Sequence, residues 1–204
     1  MRLLFILIFC LLLNNTAVAG INEILDATCK IKIGKFSGTA TVFKEDAEYY
    51  WLISAGHVGY PGTKGTACFY LKGEPSQEIP LEFVWRTWKK GTSDDLAFYK
   101  FKKPKDLKIK VIPLAPKYYK VTNNEVILTC GCAHGLWPTL WRGKVTDLTT
   151  QRVEFQPPVP IGRSGSGIFN EGGAVILAVI ITSDSNHGQA VPIEKIYNFL
   201  ENIK

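Results

Sequence analysis

The sequence predicts an all-β fold in two halves, closed by one C-terminal helix, and three observations lead to it. Short segments rich in β-branched and aromatic side chains recur along the chain, each bounded by Gly, Pro or Asp/Asn clusters. That pattern breaks once near the middle, where Ala115-Pro116-Lys117 through Asn123-Asn124 has the composition of a connection. Only the last stretch, 193–203, places apolar residues (Ile193, Ile196, Tyr197, Leu200, Ile203) at helical spacing, as a core-facing stripe. Short strands at this spacing build barrels or sandwiches.

The chain has 204 residues and a formal net charge of +6. Residues 1–19 carry Arg2, an apolar run from Leu3 to Leu13 and the small-x-small ending Ala17-Val18-Ala19, the make-up of a secretory signal cleaved before Gly20. The expected mature protein is therefore secreted or periplasmic. No later segment approaches the roughly 20 apolar residues that a membrane helix needs. Membrane attachment after cleavage is not expected, and the mature protein is expected to be a monomer.

Strands are predicted in the first half over 30–35, 38–44, 49–54, 66–71, 80–88, 96–101 and 111–114. The third runs directly into Ser54-Ala55-Gly56-His57-Val58, which places an imidazole at a strand end. The sixth begins at Asp94-Asp95-Leu96-Ala97, which places a carboxylate at a strand mouth. Lysines concentrate between 100 and 120, where they suit a solvated edge and discourage aggregation. No nucleic-acid motif accompanies them, so a nucleic-acid partner is not expected.

Residues 117–124 are read as a linker, and the second half then shows strands over 126–132, 141–147, 152–156, 167–169, 175–181 and 189–192. Cys10 departs with the signal, leaving Cys29, Cys68, Cys130 and Cys132, which allow three pairings. Cys29 and Cys68 flank the stretch carrying His57, and their disulfide is the simplest expectation. In an extended strand Cys130, Cys132 and His134 would face one side, but a structural zinc wants four ligands and only three are evident. No metal or cofactor is expected.

Between these strands lies Gly162-Arg163-Ser164-Gly165-Ser166-Gly167-Ile168-Phe169, a glycine-dense turn leading into an apolar strand. Such a turn presents Ser164 outward, and successive N–H groups at 162–164 can converge on an oxyanion. A hydroxyl is a weak nucleophile until a base takes its proton, and imidazole is the suitable base near neutral pH. A carboxylate such as Asp95 can hold that imidazole in the useful tautomer.

With these residues in view, the chain resembles the trypsin-like (chymotrypsin-fold) serine proteases. Ser54-Ala55-Gly56-His57-Val58, Asp95-Leu96-Ala97 and Gly162-Arg163-Ser164-Gly165 look like the family's histidine, aspartate and serine words, in the family's order. The run Ser164-Gly165-Ser166-Gly167-Ile168-Phe169-Asn170-Glu171 and the final helix are similar to the secreted bacterial glutamyl endopeptidases and the high-temperature-requirement proteases. The resemblance spans roughly residues 30 to 200. It implies two six-stranded antiparallel β-barrels, the first (20–116) carrying His57 and Asp95 and the second (125–204) carrying Ser164, with the active site in the cleft between them.

The resemblance further implies a serine endopeptidase acting on polypeptides, with His57, Asp95 and Ser164 catalytic and the amides of Gly162 and Ser164 forming the oxyanion hole. Its specificity pocket would lie near Pro158 and along Val179, Ile180, Ile181 and Thr182, with His187 able to reach it from the next loop. Pro158 is no carboxylate, so a preference for Lys or Arg has no basis, and the isoleucines favour small or apolar side chains. Arg163 departs from the family's aspartate before the nucleophile and cannot pair with a freshly cut N-terminal amine. The alternative reading is a catalytically inactive relative that binds other proteins.

Overall fold

The computed structural model of the chain describes residues 20–90, 92, 94–173, 176–183 and 186–203, with the side chains of Ala178, Thr182 and Ser183 outside that description; the expected signal, 1–19, also lies outside it. Two helices, α1 (Ile21–Ala27) and α2 (Ile193–Leu200), bracket an all-β body. Its first half comprises β1 (Thr28–Ile33), β2 (Phe36–Glu45), β3 (Tyr49–Ser54), β4 (Gly65–Leu71), β5 (Glu74–Pro75), β6 (Ile79–Trp88) and β7 (Asp95–Lys102). These pair in the order β1-β2-β3-β7-β6-β4, and a β1–β4 ladder closes the barrel while β5 extends β4 as a short hairpin.

The second half comprises β8 (Val126–Gly131), β9 (Thr139–Leu148), β10 (Val153–Gln156), β11 (Gly167–Asn170), β12 (Ile176–Ser183) and β13 (Gly188–Pro192). They close into a six-stranded barrel in the order β10-β13-β12-β11-β8-β9. The fold is thus two six-stranded antiparallel barrels with a C-terminal helix. Alternation explains the simpler strands: in β1, Cys29, Ile31 and Ile33 are buried while Lys32 is exposed.

β7 departs from alternation, being buried from Asp95 to Tyr99 on both faces. Ala97, Tyr99 and Phe101 pack with Leu52, Val42 and Phe69 inside the first barrel. Leu96 and Phe98, with Ile53 and Phe43, join Ile127, Phe155, Phe169 and Val179 of the second barrel in one apolar cluster. Burial of this shared surface welds the barrels together at roughly 25 cal/mol per Å² of apolar area.

The connection between the barrels differs from the expected strand at 111–114. Ile112 N–H donates to Val42 O of β2, and Ala115 N–H donates to Ile176 O of β12, so this segment lies across both barrels; Leu114 makes only an isolated parallel bridge to Ile176. Helix α1 was not expected, because seven residues with Ile24 and Ala27 as the buried positions are too short for a periodic signal. Helix α2 ends at Leu200, three residues before the end of its predicted stripe.

The expected Cys29–Cys68 disulfide is corrected: both are free thiols, as are Cys130 and Cys132. Cys29 stands opposite Phe69, and Cys68 stands opposite Lys30, in the β1–β4 ladder. Successive residues on a strand face opposite sides, so Cys29 points into the barrel while Cys68 points out of it. Their S–H groups donate instead to Ala40 O at 3.6 Å and Ser76 O at 3.1 Å. Cys130, next to last in β8, lies inside the apolar cluster, and the chain turns at Ala133–Gly135 with His134 at φ 52°. Among the described residues no group of three His, Cys, Asp or Glu side chains is placed to hold a metal ion.

Candidate active site

Strand β3 ends at Ser54 and the chain enters a 3₁₀ turn, Gly56–Val58. A Cβ on Gly56 would lie 2.1 Å from Thr87 O and 3.1 Å from Asp95 Oδ1, so only glycine lets this turn press against β6 and β7. The result is that Asp95 grips His57 twice. Its Oδ1 accepts the His57 backbone N–H at 2.7 Å, and its Oδ2 lies 2.8 Å from Nδ1. A carboxylate only accepts hydrogen bonds, so Nδ1 carries the hydrogen and the Nε2 lone pair is left to act as a base. Asp95 is 7% exposed, which keeps water from competing for the pair.

Ser164 stands on a turn whose two flanking glycines have φ of 96° (Gly162) and 89° (Gly165). A Cβ at Gly165 would lie 2.1 Å from Thr39 O, and one at Gly162 would lie 2.4 Å from Cys132 O. The turn is seated chiefly by one residue of the other barrel, Thr39 of β2. Thr39 N–H donates to Ser164 O at 2.9 Å, its Oγ1–H donates to Gly162 O at 2.9 Å, and Oγ1 accepts from Cys132 N–H at 2.9 Å. Ser54 Oγ–H in turn donates to Thr39 O at 2.7 Å. The second barrel holds the far side, with Gly165 N–H donating to Ile180 O at 2.7 Å.

Arg163 turns inward and is 3% exposed. Its Nη2 donates to Thr139 Oγ1 at 2.6 Å and to Thr139 O at 2.9 Å, tying the turn to the start of β9. Burial holds its pKa below the ordinary arginine value. The amides of Gly162 and Ser164 donate no hydrogen bond among the described residues.

His57, Asp95 and Ser164 line one groove of about 940 Å³ between the barrels. Ser164 and His57 share no hydrogen bond among the described residues, a contact that commonly tightens only when substrate binds. Of the residues expected in the specificity pocket, Ile180 and Ile181 line this groove. Val179 is wholly buried in the core, Pro158 lines a separate groove with Arg142 and Lys144, and His187 lies 3.0 Å from Gln156 Nε2. Thr182 belongs to β12, but its side chain is outside the described residues.

The groove also recruits Val159, Pro160 and Ile161 from the segment before the serine, and Trp88, Lys89, Lys90, Gln151 and Arg152 from two hairpins. The first set had a legible signal, an apolar run leading into the Gly162 turn. The hairpin residues had none, since only closure of both barrels brings their tips to one cleft.

A family model described as trypsin-like peptidase domain matches residues 38–176. Comparison with curated proteins finds no match. Among solved structures, a serine endoprotease from Yersinia pestis has a TM-score of 0.71 at 15% identity, covering 93% of this chain and 66% of that one. An inactive form of Rv3671c from M. tuberculosis H37Rv has a TM-score of 0.68 at 16% identity, covering 94% of this chain and 92% of that one. The HtrA-type protease AlgW, solved with a tripeptide, has a TM-score of 0.69 at 17% identity, covering 93% of this chain and 63% of that one. At such identities these likenesses speak for the fold alone, while the family match spans most of the chain: the protein belongs to the trypsin-like peptidase domain family.

Proposed function

We propose that this peptidase is an exported, monomeric serine endopeptidase working through Ser164, His57 and Asp95. The observation that carries the reading is the double grip of Asp95 on His57 in the groove that Ser164 also lines. Ser164 Oγ attacks the scissile carbonyl carbon as His57 Nε2 takes its proton, and the amides of Gly162 and Ser164 hold the oxyanion. Collapse expels the amine, which receives the proton from Nε2. Water then hydrolyses the acyl-enzyme by the same sequence, and Oγ regains its proton.

Val159, Ile180 and Ile181 give the pocket apolar walls, so the residue whose carbonyl is cleaved is small or aliphatic. The hydroxyl of Thr39 and the guanidinium of Arg163 seat the turn without any N-terminal amine, so signal removal alone yields active enzyme.

A fluorophosphonate probe should label the protein once, at Ser164. Ser164→Ala should abolish labelling and lower kcat by about 10⁶-fold without unfolding, as expected when the three groups act as a unit. A parent protein that folds but is never labelled would point to the inactive binding module, and residual peptidase activity within tenfold in the variant would refute the role of Ser164.

A further inference from the structure

The groove has a second chemical character beyond its apolar pocket. On its first-barrel wall stand Lys89 and Lys90 in the β6–β7 hairpin, and on the facing wall stands Arg152 in the β9–β10 hairpin. Lys89 and Lys90 are exposed, and the Arg152 side chain is 46% exposed with only its Nε bonded to Glu154. Among the described residues the single carboxylate lining the groove is Asp95, whose two oxygens are both taken by His57. A peptide laid in this groove therefore meets Lys89 and Lys90 on one side and, on the other, the guanidinium of Arg152, which is paired with Glu154 through Nε alone.

The two walls are also held in place. Lys89 is pinned in its hairpin because its carbonyl accepts Thr92 N–H at 3.1 Å and Thr92 Oγ1–H at 2.9 Å. The opposite hairpin is closed by Thr149 Oγ1, which accepts the N–H groups of Gln151 and Arg152 at 3.2 and 3.0 Å. Lys195 of helix α2 joins the two, reaching Asp94 Oδ1 at 2.6 Å and Gln151 Oε1 at 2.8 Å. The C-terminal helix thus links the two hairpins that carry the charged walls.

We infer that Lys89, Lys90 and Arg152 are specificity-determining residues that select peptides carrying Asp or Glu beside the apolar residue at the cleaved bond. The inference rests on the serine endopeptidase reading of the same groove. The acidic side chains lie outside the apolar pocket, against the rim, where solvent screens the attraction and salt weakens it.

The test digests a random peptide pool with the wild-type enzyme and measures kcat/KM for two fluorogenic peptides sharing one aliphatic residue at the cleaved bond. One peptide is flanked by Glu and Asp, the other by Gln and Asn. We expect acidic enrichment in the cleaved pool and a preference of about tenfold for the acidic peptide at low salt, falling to about twofold in 0.5 M salt, the behaviour of exposed ion pairs. The double variant K89E/K90E should abolish or invert that ratio, with fluorophosphonate labelling as the check that its Ser164 remains reactive. Because that probe is small and carries no flanking residues, it separates the two readings. Normal labelling with a wild-type ratio near one, or a salt-independent ratio, overturns the charged rim alone. Absent labelling, or labelling without cleavage of any peptide in the pool, overturns the endopeptidase reading and the rim with it. The wild-type ratio and its salt dependence decide the matter even if K89E/K90E fails to fold.

Discussion

Asp94 and Asp95 are neighbours with separate partners, and they provide the sharpest test at the level of single residues. Asp95 accepts from both the backbone N–H and Nδ1 of His57, so Asp95→Asn keeps the first bond only by turning its NH₂ toward Nδ1. That forces the hydrogen onto Nε2 and removes the base, and kcat should fall by about 10⁴-fold. Asp94 pairs with Lys195 near the surface, a contact worth at most about 1 kcal/mol. Asp94→Asn should keep kcat/KM within about threefold, and equal losses from the two variants would show that the wrong carboxylate has been assigned. Thr39 allows a second test, because Thr39→Val strands Gly162 O and Cys132 N–H while leaving Thr39 N–H on Ser164 O. An unpaired buried group costs about 1–3 kcal/mol. If the hydroxyl positions the turn, kcat and fluorophosphonate labelling should fall together at unchanged KM, with Thr39→Ser restoring both; a lower Tm at unchanged kcat would make the hydroxyl merely structural.

At the scale of the strand, burial controls the chemistry of the four thiols among the described residues. Burial pushes Cys130 up to about 12 and Cys132 to about 11, and it raises Cys29 well above the ordinary thiol value. The thiolate is the reactive form, so at pH 8, far below those values, these three stay protonated and shielded. Cys68 is only half-buried. In a chain starting at Gly20, iodoacetamide at pH 8 should therefore modify Cys68 first and the other three only as the protein unfolds, with all four modified in denaturant without reductant. A native protein that yields fewer than four thiols in denaturant would contradict the free-thiol arrangement. Strand alternation was legible in β1, where every second residue is buried, but the same stretch carried the misleading cysteine spacing. Which strand lies beside β1, and in which register, is a matter of barrel closure.

For the whole molecule, the question is whether the N-terminus takes part in catalysis. The chain begins its described part in α1, whose Ile24 and Ala27 are buried and whose Glu23 pairs with Lys110 on the connection between the barrels. Arg163, beside Ser164, bonds to Thr139 through Nη2 instead, and its cation would repel an inserted amine. A chain starting at Gly20 and one carrying a short N-terminal tag should differ by no more than about threefold in kcat/KM. Loss of an oxyanion donor costs about 10²–10³ in kcat. A hundredfold deficit that disappears on tag removal would therefore show that the amine is needed after all.

The sequence by itself determined the strand-rich class, the division into two halves and the local words around His57, Asp95 and Ser164, because each depends on residues within a few positions of one another. It also exposed the oddity of Arg163, although not where the guanidinium would go. Tertiary structure alone decided that Thr39 seats the Ser164 turn from the other barrel, that Cys29 and Cys68 face opposite sides of one wall, and that Pro158 and His187 stand away from the groove that Val159 and Ile161 enter. The same holds for Lys195, which joins two hairpins distant in the chain. These contacts depend on barrel closure and on the shared apolar seam around Phe98 and Phe169, and closure sets strand partners at separations that no local pattern encodes.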